Sequence, residues 1–165
     1  MAFPEPTDPA ESRADVFLRY LDHFRAQAID KVRALSDAEA RTSRLPSGWT
    51  PLELLVHLTA MERRWIEWRF QGDPLPDPWV DQPEGRWQVP ADATVADVLA
   101  GLAARGDITR AFVAKTDLDT VGVPGPGWDG TATLERVLFH MLQEYARHLG
   151  HLDIATELAG GPTGE

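Results

Sequence analysis

Residues 49 to 58 read Trp49-Thr50-Pro51-Leu52-Glu53-Leu54-Leu55-Val56-His57-Leu58. Thr50 is a helix N-cap residue, Pro51 occupies the first helical position with its φ already set, and Glu53 stands where a side chain reaches back to the cap's own N–H. Three start devices coincide, so a helix begins here, and its apolar residues continue to about Phe70 before Gly72 ends it. With His57 at zero on a helical wheel, Trp68, Met61, Leu54, Trp65 and Leu58 fall within about 20° to 100°. His57 therefore sits at the margin of the buried face.

Working outward, Val16, Phe17, Tyr20, Leu21, Phe24, Ala28, Val32 and Leu35 recur at three and four, the period of one helical face, between Ser12 and Leu35. Ser36-Asp37-Ala38-Glu39 has the form of a capping box and predicts a short helical turn. Thr94-Val95-Ala96-Asp97 restarts a helix that runs to about Lys115, and Thr131 or Thr133 caps a last one that ends at Gly160-Gly161. Between them lie two long loops rich in Pro and Gly, Gly72 to Ala93 with Trp79 and Trp87, and Val121 to Gly130 with Trp128. Loops of that length in compact domains tend to be functional. Residues 1 to 11 carry Pro4, Pro6 and Pro9 and predict a flexible arm; residues 12 to 160 predict a single all-α domain, a four-helix bundle with two long loops.

The composition excludes several functions. The chain has 165 residues, no Cys and a formal charge of −10. A chain of this size removes about 70% of its unfolded surface on folding, enough for a core without staples. The missing Cys removes disulfides, thiolate metal sites and a protein thiol nucleophile together, and fits a reducing compartment. Strong negative charge without a Lys/Arg cluster argues against nucleic acid and anionic lipid as partners, and no run is long enough to span a membrane. The expectation is a soluble, cytoplasmic protein.

The last helix carries the chemistry. With His140 at zero on its wheel, Glu144 falls near about 40°, His148 near about 80° and His151 near about 20°, an arc that overlaps the apolar stripe. A carboxylate and imidazoles turned toward a core are costly unless paired or coordinated. Helices packed 8 to 10 Å apart on typical axes would let His57 meet Glu144 and His148 across the seam. Two imidazoles and a carboxylate suit a divalent metal, zinc first, with nickel, iron or manganese accepted by the same donors, and they leave a coordination position open. His140 lies one turn back, where a fourth ligand would tend to close the site. His151 reads as a substrate-facing group or a donor behind the ligands, and His23, alone on the first helix, as a structural imidazole. The zinc-protease pattern H-E-x-x-H is absent. Trp79, Trp87 and Trp128 read as loop anchors, with a wall of the pocket mouth as the alternative.

The Trp49 to Leu58 stretch, followed by Met61-Glu62-Arg63-Arg64-Trp65, and His140-Met-Leu-Gln-Glu144-Tyr-Ala-Arg147-His148-Leu-Gly150-His151-Leu-Asp153, resembles the DinB-like (YfiT-like) four-helix metalloprotein superfamily. Within it the chain looks like the mycothiol S-transferase branch, related to the metal-binding domain of mycothiol-dependent maleylpyruvate isomerase. The resemblance spans nearly the whole chain. It places metal ligands at His57, Glu144 and His148; many superfamily members have His where this chain has Glu144, and the Glu form goes with the mycothiol branch. A chain ending at Glu165 lacks the isomerase's additional C-terminal domain, so that reaction is not expected to carry over. The resemblance implies transfer of a small cofactor thiol, mycothiol or a similar one, to an electrophilic small molecule in detoxification chemistry, with His151 or Arg147 orienting ligands or donating to them. The alternatives are a metal-dependent hydrolase and a non-catalytic metal- or ligand-binding module. The sequence leaves the oligomeric state open, a homodimer being common among DinB-like proteins.

Overall fold

A computed structural model describes residues 3–161. Helix α1 spans Arg13–Arg33, the one-turn α2 Asp37–Ala40, α3 Pro51–Arg63, α4 Val95–Val113 and α5 Leu134–Leu158. Each start is capped by the residue whose chemistry suits it. Ser12, Ser36, Thr50, Thr94 and Thr133 accept from the backbone N–H three residues on, and at Thr50 and Thr94 the reciprocal bond from Glu53 or Asp97 completes a capping box.

α1 packs against α4 and α5, and α3 against the same two, so α1 and α3 face each other across a diagonal. The first two long helices are thus not simple hairpin neighbours. Leu21, Leu52, Leu55, Leu58, Leu138 and Met141 are fully or almost fully buried along the central seam. No helix among the described residues is long and apolar enough to cross a membrane. A single isolated bridge, Val121 to Thr133, is the only β-type pairing among the described residues.

The structure departs from the wheel reading in the second half of the second long helix. Beyond Arg63 the chain widens into a π-helical stretch, Arg64–Gln71, before Gly72 turns it with φ +78°. The carbonyls freed at this end are taken by the second loop: Val123 N–H donates to Phe70 O and Gly125 N–H to Trp68 O, both at 2.7 Å. That docking needs glycine. A Cβ at Gly122 would stand 2.5 Å from the Phe70 ring, and one at Gly125 2.3 Å from Trp68.

Residues 1 and 2 of the expected arm, and 162 to 165, lie outside the described residues. From Phe3 to Glu11 the chain has no helix or strand and rests on α1, with the Phe3 ring edge-on to Tyr20 and His23 at 5.7 and 5.0 Å and Arg19 donating to Pro9 O. The Pro-rich loop is ordered by its own bonds, including Gln82 N–H to Trp79 O and Gln88 N–H to Asp81 O, around a short 3-10 turn at Pro83–Gly85. It folds over the α3 to α5 seam.

Candidate metal centre

His57 comes from the middle of α3, and Glu144 and His148 from successive turns of α5. One donor atom from each lies within 4.8 Å of the others. His57 and His148 are both 7% exposed, whereas Glu144 is only partly buried, so the cluster is walled by imidazole on one side and reachable past the carboxylate on the other.

Glu144 is shared. Its Oε2 lies 3.1 Å from His148 Nε2 and its Oε1 3.2 Å from His140 Nε2. The hydrogen bond with His148, reinforced by the charges of His148, His140 and His57, holds its pKa down to about 2 against the opposing effect of burial. The carboxylate is therefore ionised and ready to act as an oxygen donor at neutral pH. Burial pushes His57 below the usual imidazole value, against the hydrogen bond to Asp81, which favours the neutral ring a metal needs.

Two residues outside the ligand set organise His57. Asp81, fully buried in the Pro-rich loop, accepts from His57 Nδ1 at 2.8 Å and from Arg64 Nη1 at 2.8 Å. Burial alone would raise the Asp81 pKa, but these two partners override it and bring it to about 2. An ionised carboxylate only accepts, so the His57 proton sits on Nδ1 and Nε2 is left as a lone-pair donor, the arrangement that orients metal-bound histidines. Trp87 stacks on the same ring, 4.4 Å between centroids and 23° between planes, and stands edge-on to His148 at 5.4 Å. Trp87 thus lines the cluster as well as anchoring its loop.

The three donors, within 4.8 Å of one another, are of the kind and spacing that could hold a metal. Zinc bonds of about 2.0–2.2 Å in tetrahedral array place donors about 3.3 Å apart, close to the 3.1 Å between Glu144 and His148. In their present contact Glu144 accepts the Nε2 proton of His148, which a cation between the two would displace.

The other sequence candidates are placed as follows. His140 touches Glu144 from one turn back and packs on Trp65 at 4.3 Å. The His151 ring lies 5.7 Å from that of His148 and 6.2 Å from Trp49, at the margin of the cluster, and burial followed by the charges of His148 and Arg147 lowers its pKa. Arg147 is exposed. His23 is buried among Phe3 and Phe24, away from these donors. Trp79 lies over Arg64 at 4.2 Å, and Trp128 over Arg69 at 3.8 Å. Sequence reading missed Asp81 altogether: an Asp between Val80 and Gln82 in a Pro-rich loop carries no periodic signal, and its role exists only because the loop folds back 24 residues onto His57.

The sequence profile of the family described as Mycothiol-S-transferase matches residues 16–161. The chain belongs to the mycothiol S-transferase family. No curated protein matches it. Among solved structures, this mycothiol S-transferase family member is similar to YfiT from Bacillus subtilis, described as a probable metal-dependent hydrolase with an unusual four-helix bundle topology, at TM-score 0.63 and 16% identity over 96% of this chain and 94% of that one. A DinB-like protein from Bacillus cereus ATCC 10987 gives TM-score 0.63 and 15% identity over 89% and 93%. At such identities the two neighbours establish the fold, and the family profile establishes the kinship.

Proposed function

We propose that this protein binds a divalent metal, zinc by preference, on His57, Glu144 and His148, and transfers a low-molecular-weight thiol, mycothiol or a close analogue, to an electrophilic small molecule. The observation that carries the proposal is the convergence of two imidazoles and one ionised carboxylate with access past the carboxylate. A bound metal with an open position would lower the pKa of a coordinated thiol and hold it as the thiolate. The chain has no Cys, so the sulfur comes from outside. In the transfer an S–C bond forms, the bond to the leaving group breaks with its electron pair, and the thiol proton is released.

The protein's own residues supply position and charge. Asp81 and Trp87 fix the His57 ring, and Arg64 holds Asp81 in turn. His140, 3.2 Å from Glu144 and partly open to solvent, would take up or relay the released proton, and His151, at the margin of the cluster, is a second candidate for that role. A groove of about 580 Å³ beside the cluster, lined by Phe17, Trp65, Phe139, His140 and Gln143, offers an apolar wall for the electrophile. A cytoplasmic setting and a role in detoxification follow from this reading.

One other reading has support in the YfiT description: hydrolysis of an ester or amide, with His140 or His151 handling the proton. Elemental analysis of protein purified without added metal, beside Glu144→Ala and His148→Ala, tests the shared premise. Near-stoichiometric zinc that falls in both variants supports the centre; no metal even after reconstitution sinks it and favours a non-catalytic module. Thiol consumption across a panel of electrophiles then supports transfer, whereas ester turnover without thiol supports hydrolysis.

A further inference from the structure

Arg69 lies in the π-helical stretch with its guanidinium carbon 3.8 Å from the centre of the Trp128 ring and 4.2 Å from that of Trp65; Trp68 and Trp79 stand at 5.6 and 5.7 Å. Four of the six tryptophans, drawn from the helix and from both long loops, surround one cation. Its Nε is buried, and among the described residues nothing accepts a hydrogen bond from it and no carboxylate pairs with it. Arg69 is partly buried, whereas the buried arginines each have a carboxylate: Arg25 has Glu62 and Asp22, Arg64 has Asp81 and Arg105 has Glu67.

Stacking occupies the faces of a guanidinium and leaves its edge of N–H donors to find an acceptor. Burial, then the neighbouring charge of Arg64, lowers the Arg69 pKa to about 10, with Glu144 opposing, so the group stays charged at neutral pH. The cage adjoins the metal centre. The Trp65 ring that stacks on Arg69 also packs on His140, which touches Glu144, and the apolar groove begins at those same two residues, Trp65 and His140.

We propose that Arg69 is the docking group for a carboxylate carried by a substrate of the metal centre, held edge-on by the guanidinium while the tryptophan cage excludes water. The planar fork matches a carboxylate's two oxygens, and in a protein of net charge −10 a local cation, beside Arg136 in the groove lining, favours the approach of an anionic substrate. This rests on the thiol-transfer reading for the reaction, but not for the binding.

The test separates the two. Tryptophan fluorescence of the protein, as purified and after zinc loading, is titrated with succinate and with uncharged succinamide. The expected result is a saturable response to succinate, a response to succinamide at least about tenfold weaker, and a loss of succinate affinity of about tenfold or more in Arg69→Gln, with Arg69→Lys between. Equal response to the two probes in the parent protein, or unchanged succinate affinity in Arg69→Gln, overturns the proposal. The parent comparison needs no variant, so poor folding of Arg69→Gln does not blunt it. Binding without any thiol transfer would overturn the transfer reading and leave the docking site intact. Where transfer occurs, the kcat/KM preference for chloroacetate over chloroacetamide, and for mercaptoacetate over 2-mercaptoethanol, identifies the partner carrying the carboxylate: it is the pair whose preference collapses in Arg69→Gln. Collapse of neither overturns the proposal.

Discussion

Asp81→Asn removes a charge and almost no volume, which makes it the sharpest probe of how the fold prepares the metal centre. Asp81 is fully buried and its two closest donors are His57 Nδ1 and Arg64 Nη1, each at 2.8 Å, with Gln82 Nε2 and Arg64 Nη2 farther off at 3.4 and 3.5 Å. An amide in its place can accept from one of them with its oxygen, but turns an NH2 toward the other. His57 then loses the partner that keeps its proton on Nδ1. Removing such a partner behind a metal-bound histidine costs about 10- to 100-fold in metal affinity, or about 1.4 to 2.7 kcal/mol. Because a ligand bound only by the native state raises stability in step with its affinity, zinc should raise the Tm of the variant by roughly 3 to 10 °C less than that of the parent. Zinc affinity is read by competition with a chromophoric chelator, with melts in chelator confirming that the variant is folded at the assay temperature. His57→Ala is run alongside and should lose more, since it removes a donor. Zinc affinity in Asp81→Asn within twofold of the parent, with His57→Ala strongly impaired, would refute the orienting role; parental affinity in both would remove His57 from the ligand set.

Three further outcomes are expected. Glu62 is fully buried and accepts from Arg25 Nε and Nη2, Thr109 Oγ1 and Tyr145 Oη, so Glu62→Ala should cost about 3 to 5 kcal/mol by leaving these buried donors without their acceptor, only Arg25 Nη1 keeping a carboxylate in Asp22, read in urea unfolding; a loss below about 1 kcal/mol would contradict it. In metal-free protein, burial lowers the folded pKa of His57, so the native state resists protonation and stability should fall as pH drops below about 6.5; Asp81 and Glu144, held near about 2, add stability above their ordinary values of 3.8 and 4.5 that is lost as pH falls from there toward 2. A Tm that stays flat from pH 7 to pH 3 would refute this assignment. Gly122→Ala should destabilise by roughly 1 to 3 kcal/mol through collision with Phe70, whereas Gly101→Ala, which meets nothing within 4 Å in mid-α4, should be neutral or stabilising; thermal melts of the pair distinguish the two.

The helices and the candidate donor cluster were legible because both depend on short-range rules. Caps act over three residues and helical faces repeat every three or four, so Ser12, Thr50, Thr94 and Thr133 announce their helices, and the arc of Glu144 and His148 overlapping an apolar stripe announces a polar group that needs a partner. His57 could be named for the same reason: it lies at the edge of the one other helix face that could supply that partner.

Tertiary structure decided what no local period encodes. The diagonal placement of α1 and α3 depends on which faces pack, and the widening at Arg64–Gln71 goes with a loop some 55 residues away, whose Val123 and Gly125 N–H groups donate to the freed carbonyls. Asp81 behind His57, Trp87 stacked on it and four tryptophans around Arg69 arise because two irregular loops fold back onto the bundle. A loop side chain has no periodicity to betray its direction, so its partners are fixed only when the chain closes around them; the sequence by itself determined the helices and the donors, and the fold determined what holds those donors in place.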